Sequence, residues 1–244
     1  MPAHHAISGV AALLLSALIT TAAHAGLNQG LAAYDSADYA TARKELMPLA
    51  EHGNAQAQYR LGKMAHLGQG QPPDKKEAAK WFHLAAQQGL AAAQGALGYL
   101  CLVGEGVSQN NDLALKWTRK AAAQRDATAQ FNLSVMHGEP FGIQKDPAES
   151  LKWLRKAADQ RHVEALNTLG SIYEKGKDGA GPKPVFAYVL FAASAEKGDS
   201  AAAAKRKALE TGMSAKDLQA GQALARKWKP GTSFVNVAGT GESL

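Results

Sequence analysis

The stretch "AKWFHLAAQQG" beginning at Ala79 is written again as "LKWTRKAAAQR" from Leu115 and as "LKWLRKAADQR" from Leu151, so equivalent residues stand 36 apart. Lys80, Lys116 and Lys152 correspond, as do Trp81, Trp117 and Trp153. A period of this size means that each unit is one supersecondary element, unable to bury its apolar face alone. Stacked neighbours must supply the core, which restricts the chain to a solenoid.

Within a unit the spacing predicts two antiparallel helices. Small and apolar residues recur at helical intervals in the first: Ala57, Leu61 and Ala65; Ala93, Leu97 and Cys101; Ala129 and Leu133; Ala165, Leu169 and Tyr173. Each leucine is followed by Gly62, Gly98, Ser134 or Gly170. Glycine inside a helix costs about 1 kcal/mol against alanine, so a small residue kept there points to a closely approaching helix. Glycine-rich turns follow, "GQG" from Gly68 and "GEGV" from Gly104, with Phe141-Gly142-Ile143 at the third equivalent place. The second helix starts behind Asp74, Asn110 or Asp146, cap residues, two of them followed three positions on by Glu77 and Glu149 in capping-box spacing. Pro147 suits the first turn.

These signals divide the chain into a degenerate unit at 27–53, full units at 54–90, 91–126, 127–162 and 163–199, and a C-terminal cap at 200–228. Glu45 and Leu190 replace the tryptophan in the outer units, as expected of repeats that end an array. Ser214 and Asp217 announce the last helix. Residues 229–244 show no helical period and read as a flexible tail.

Residues 1–25 hold no Lys, Arg, Asp or Glu, carry the run "VAALLLSALITTAA" and end in Ala23-His24-Ala25. This is the pattern of a cleaved signal peptide. It predicts a mature chain starting near Gly26, in the periplasm or secreted. The run is shorter than the ~20 residues that span a bilayer, and no later segment is longer, so no membrane span is expected after cleavage. Cys101 is the single cysteine, which excludes an intramolecular disulfide.

The net charge of +6 is concentrated between Ser200 and Pro230, where seven basic residues face two acidic ones. Lys205, Arg206, Lys207, Arg226 and Lys227 make this cap a second candidate surface, suited to an acidic partner or an anionic envelope component. Nucleic acid is not an expected partner of an exported chain.

The period of 36, the openings "AQYRLG" and "AQFNLS", the "GEGV" turn, the helix "LKWLRKAA" and the closing "LARKW" resemble the Sel1-like repeat family, relatives of tetratricopeptide repeats. The resemblance covers 54–228 well and 27–53 in part. It implies an all-α fold, a right-handed superhelical α-solenoid of antiparallel helix pairs that binds other proteins. In bacteria it often implies an exported adaptor. Two alternatives come with it: an immunity or inhibitor protein for a toxic or wall-active enzyme, and a β-lactam-binding or wall-associated enzyme.

For catalysis the residues offer little. His52, His66, His83, His137 and His162 form no i, i+4 metal pair. His52 and His162 read as helix-terminal cations. Ser194-x-x-Lys197 fits a Ser-x-x-Lys string, and Ser108 a second element, but Lys-Thr-Gly is absent. No catalytic residue, metal or cofactor is therefore assigned. The tryptophans could stack on sugars or bases, but their strict register places them in the core.

The candidate partner site is the other side of the first helices. If Ala57, Leu61 and Ala65 face inward, Arg60 and Lys63 face away, as do Ala96 and Tyr99, Asn132 and Val135, and Thr168 and Ser171. These positions vary while the packing positions do not. They form a row suited to a protein or peptide segment.

Overall fold

The computed structural model describes residues 25–138, 144–176 and 181–239. Residues 1–24 of the proposed signal peptide, the turn at 141–143 and residues 240–244 lie outside the described residues. The described residues are all helical or irregular, with no strand. They fall into two compact units, residues 1–114 and 115–244.

The first unit contains α1 (25–35), α2 (Tyr39–Glu51), α3 (Ala55–Leu67), α4 (Lys75–Gln87) and α5 (Ala91–Val103), and the start of α6 (Asn111–Ala123). Its core joins Ala42, Leu46 and Ala50 of α2 to Ala57, Leu61 and Met64 of α3 and Trp81 of α4. Ala57 and Leu61 are residues that the helical period points inward.

The second unit continues α6 and adds α7 (Ala127–Gly138), α8 (Pro147–Asp159), α9 (Val163–Lys175), α10 (Pro184–Ala195), α11 (Ser200–Gly212), α12 (Ala215–Lys227) and α13 (Phe234–Ala238). Its main core runs from Leu154 through Leu166 and Leu169 to Leu190, Phe191 and Trp228.

The small residue after each leucine has a direct cause. A Cβ built on Gly62 would stand 2.7 Å from the Phe82 ring, and one on Gly170 would stand 2.8 Å from Phe191. The approaching helix is the second helix of the same pair. At the third equivalent place Ser134 meets Ser150, whose hydroxyl donates to the Ser134 carbonyl at 2.8 Å.

The caps form as the sequence predicts, Asp74 accepting from Lys76 and Glu77, Asn110 from Leu113, and Asp146 from Ala148 and Glu149. The capping box does not close. The cap N–H groups of Asp74, Asn110 and Asp146 go instead to the carbonyls of Ala65, Cys101 and His137, tying each second helix back to its first. Glu77 and Glu149 are thereby released to accept from the indole N–H of Trp81 and Trp153, four residues on.

A further joint recurs between pairs. Gln58, Gln94 and Gln130, all buried, donate through Nε2 to the carbonyls of Ala50, Ala86 and Ala122 at 2.9, 3.1 and 3.2 Å. A buried donor without a partner costs about 1–3 kcal/mol, so each glutamine is fixed by the carbonyl it serves. In the next pair Leu166 stands at that place, fully buried in the apolar core.

The structure corrects three further expectations. Residues 229–239 are packed. Trp228 is buried and donates its Nε1–H to Thr232, while Gly231 and Phe234 donate backbone N–H groups to the main-chain carbonyl and the Oδ1 of Asp159, both at 2.7 Å. Phe234 sits among Trp228, Phe186 and Tyr173, its ring centroid 4.9, 5.4 and 6.4 Å from theirs. One aromatic residue and one carboxylate do here what helical periodicity does elsewhere.

The tryptophans are not equally deep. Trp81 is buried, whereas Trp117 and Trp153 are half-buried. Trp153 packs against Ala121, Ala122, Ala129 and Leu133, and the Lys156 ammonium lies 4.1 Å from its ring centroid. Trp153 thus has core on one side and a cation over its ring.

Finally, His162 occupies the N-cap position of α9, without a side-chain capping bond, rather than ending α8. Burial, followed by weaker opposing effects of Glu164 and Asp126, holds its pKa below the usual histidine value.

Candidate functional site

In the first unit, Arg60 and Lys63 of α3 are half-buried, and both reach the ring of Tyr34 on α1, at 4.8 and 5.5 Å from its centroid. Neither has a carboxylate or hydrogen-bond acceptor among the described residues. Two cations held over one ring without a counter-ion leave a positive surface. Tyr99 of α5, one repeat further on from Lys63, is 44% exposed.

Two residues of this row escape the sequence reading. Leu67 stands one turn after Lys63 and Val103 one turn after Tyr99, again 36 apart, and they are 54% and 43% exposed. Of the four exposed large apolar residues among the described residues, three are therefore Leu67, Tyr99 and Val103. The 36-residue spacing carries the signal. Periodicity alone reads Leu67 and Val103 as helix-end residues.

In the second unit, Asn132 and Val135 on α7 are half-buried, and on α9 Thr168 is exposed and Ser171 half-buried. Thr168 and Ser171 line an open depression of about 480 Å³ with Ile172 and Lys175. Lys205 of α11 donates to the Ser171 hydroxyl at 3.0 Å, and its ammonium lies 4.9 Å from the Phe191 ring centroid. Lys205, assigned from sequence to the basic cap, thus borders the row. Arg206 pairs with Glu210. Lys207, Arg226 and Lys227 are exposed on α11 and α12.

The residues weighed for chemistry are occupied otherwise. Ser194 is fully buried and donates to Asp199 at 3.2 Å. The Asp199 carboxyl is held below its usual range by the Ala202 N–H, then by Asn167 and Ser194. Cys101 is a buried free thiol whose pKa burial pushes up. Among the described residues no group of three or more His, Cys, Asp or Glu side chains is placed to hold a metal ion. Nor is any helix long and apolar enough to cross a membrane.

Comparison with known proteins agrees with this architecture. The Sel1 repeat pattern matches four times, at residues 55–90, 91–126, 127–162 and 163–199. No curated protein sequence matches the chain. Among solved structures, a Sel1 repeat protein from Oxalobacter formigenes is 28% identical, with a TM-score of 0.68 over 89% of this chain and 85% of that one. A protective antigen of uropathogenic Escherichia coli strains, described as displaying an SLR fold, is 26% identical with a TM-score of 0.52, over 91% of this chain and 56% of the antigen. A Sel1 repeat protein from Klebsiella pneumoniae shares the fold at 16% identity and a TM-score of 0.53, over 77% of this chain and 93% of that one. With four consecutive repeats in register and an all-helical paired architecture, the chain belongs to the Sel1 repeat family, an α-solenoid class suited to protein–protein interaction.

Proposed function

We propose that this protein is an exported, non-enzymatic scaffold that binds a protein or peptide partner in the bacterial periplasm, through the exposed row of its first helices. The observation that carries the reading is the concentration of exposed Leu67, Tyr99 and Val103 on that row, in the unit where Arg60 and Lys63 lack a counter-ion. Exposed aromatic and aliphatic residues beside unpaired cations are the composition of an interface anchor. The repeat period supports the same reading, because it keeps the packing residues constant and leaves this face free to vary. The charge-free apolar leader supports export.

The test is crosslinking and co-purification from the native envelope. The recovered chain should begin near Gly26 by mass spectrometry. Against the recovered partner, Tyr99→Ala should cost about 2 kcal/mol of binding, and Arg60→Glu with Lys63→Glu should weaken it further without unfolding the chain. Binding that survives these changes but fails when Lys207, Arg226 and Lys227 are neutralised moves the site to the basic cap and overturns the reading.

A further inference from the structure

Each second helix ends in a residue of positive φ. At Gly53, Gly89 and Gly198 the angle is +91°, +90° and +93°, and glycine adopts it freely. At the equivalent places in the second unit stand Arg125, with φ +67°, and Arg161, with φ +63°. A side chain in this region is strained, and strain of this kind persists where the residue has a task.

The task of Arg161 is visible. Its Nη2 donates to the Trp228 carbonyl at 2.8 Å, and its guanidinium lies 3.9 Å from the Trp228 ring centroid. The strained arginine grips the segment that leads into residues 229–239.

Arg125 has the same backbone and no such occupant. Its side chain is exposed and makes no hydrogen bond or ion pair among the described residues. It lines a cleft of about 390 Å³, together with Trp153, Lys156, Asp159, and Gly231 and Ser233 of the docked C-terminal segment. Among the described residues Lys156 likewise contacts only the Trp153 ring. The carboxylates nearby are engaged, Asp159 with the Phe234 N–H and Asp126 with the Ala129 N–H that it caps. Arg125 and Lys156 therefore face a cleft whose one lining carboxylate, that of Asp159, already accepts from the Phe234 N–H.

We propose that this cleft is a binding site for an extended, acidic peptide segment, with Arg125 and Lys156 holding its carboxylates beside the chain's own residues 231–233. A guanidinium presents two parallel N–H groups that match a carboxylate. Lys156 supplies a second point charge beside the Trp153 ring. The site shares no residue with the row of first helices, so it stands or falls independently of the function proposed above.

The test is fluorescence anisotropy with the full chain, using a fluorescein-labelled, amidated octapeptide of alternating Glu and Gly and its Gln counterpart. The Glu peptide should bind at least tenfold tighter than the Gln peptide. Arg125→Gly should weaken the Glu peptide about tenfold. Because glycine is the residue other units use there, the same change should leave the thermal midpoint unchanged or raise it. Lys207→Ala with Arg226→Ala should leave the affinity as it was. The proposal is overturned if Arg125→Gly binds like wild type, if it lowers the midpoint and so marks a structural arginine, if the peptide is lost only with the cap lysine and arginine, or if neither peptide binds.

Discussion

The joints of the first unit are closed by Gly53 and Gly89, and those between α6 and α9 of the second by Arg125 and Arg161, with the same hydrogen bonds made by the backbone at each place. At Gly53 and Gly89 the chain uses the residue that adopts positive φ without strain. Where it keeps a strained arginine, the side chain has something to hold or is placed to hold it. A repeat protein states its own rule several times, and a departure that costs stability stands out against that rule.

The largest test of this contrast is the segment that Arg161 holds. Phe234→Ala should cost about 3 kcal/mol, the usual scale for emptying a buried aromatic site, seen as a lowered denaturant midpoint. A tail that merely lies on the surface gives no change. Next is Arg161→Gly, which installs the first unit's residue in the second. Loss of a charge-assisted hydrogen bond and of the contact with Trp228 outweighs the strain released, for a net cost of about 2 kcal/mol. If Arg161→Gly proves neutral, the distinction between the joints collapses.

The reverse exchange should be smaller. A Cβ on Gly89 meets nothing within 4 Å, so Gly89→Ala isolates the backbone strain, about 1 kcal/mol of destabilisation in thermal unfolding. A pH-dependent effect is expected from proton uptake at Asp159. Burial, opposed by the Phe234 N–H and by Arg155 and Arg161, pushes its pKa from 3.8 up to about 6. The folded state therefore binds the proton more tightly than the unfolded one. The stabilising contribution is complete below the unfolded value, and it is lost as pH rises through 6. Asp159→Asn keeps an acceptor oxygen for Phe234 and removes the titration. Wild-type stability relative to this variant should fall as pH rises from about 4 to about 6 and then level off, measured by denaturant titration at each pH.

Helix pairing, caps and inward faces were legible in the sequence, because each is a local pattern repeated in register. The row at Arg60, Lys63 and Tyr99 was legible for the converse reason: those positions are released from the pattern. Depth of burial was not, since register makes Trp81 and Trp153 equivalent in place while their neighbours differ. Capping boxes at Glu77 and Glu149 were misread because the cap N–H already had a carbonyl partner from the preceding helix, a contact with no local signature. The docked tail was invisible for a similar reason. Phe234 and Asp159 are 75 residues apart, and neither belongs to a period. The succession Gly53, Gly89, Arg125, Arg161 was in plain view, but its meaning lay in the sign of φ, which composition does not reveal.

The glutamine joints bear on how such a chain changes over time. Gln58, Gln94 and Gln130 each bond a carbonyl eight residues earlier, so each fastening is written entirely within its own short stretch of chain. A gene segment that is duplicated or lost in steps of 36 codons carries its joint with it and strands no donor. The array can therefore be lengthened or shortened without redesigning any seam.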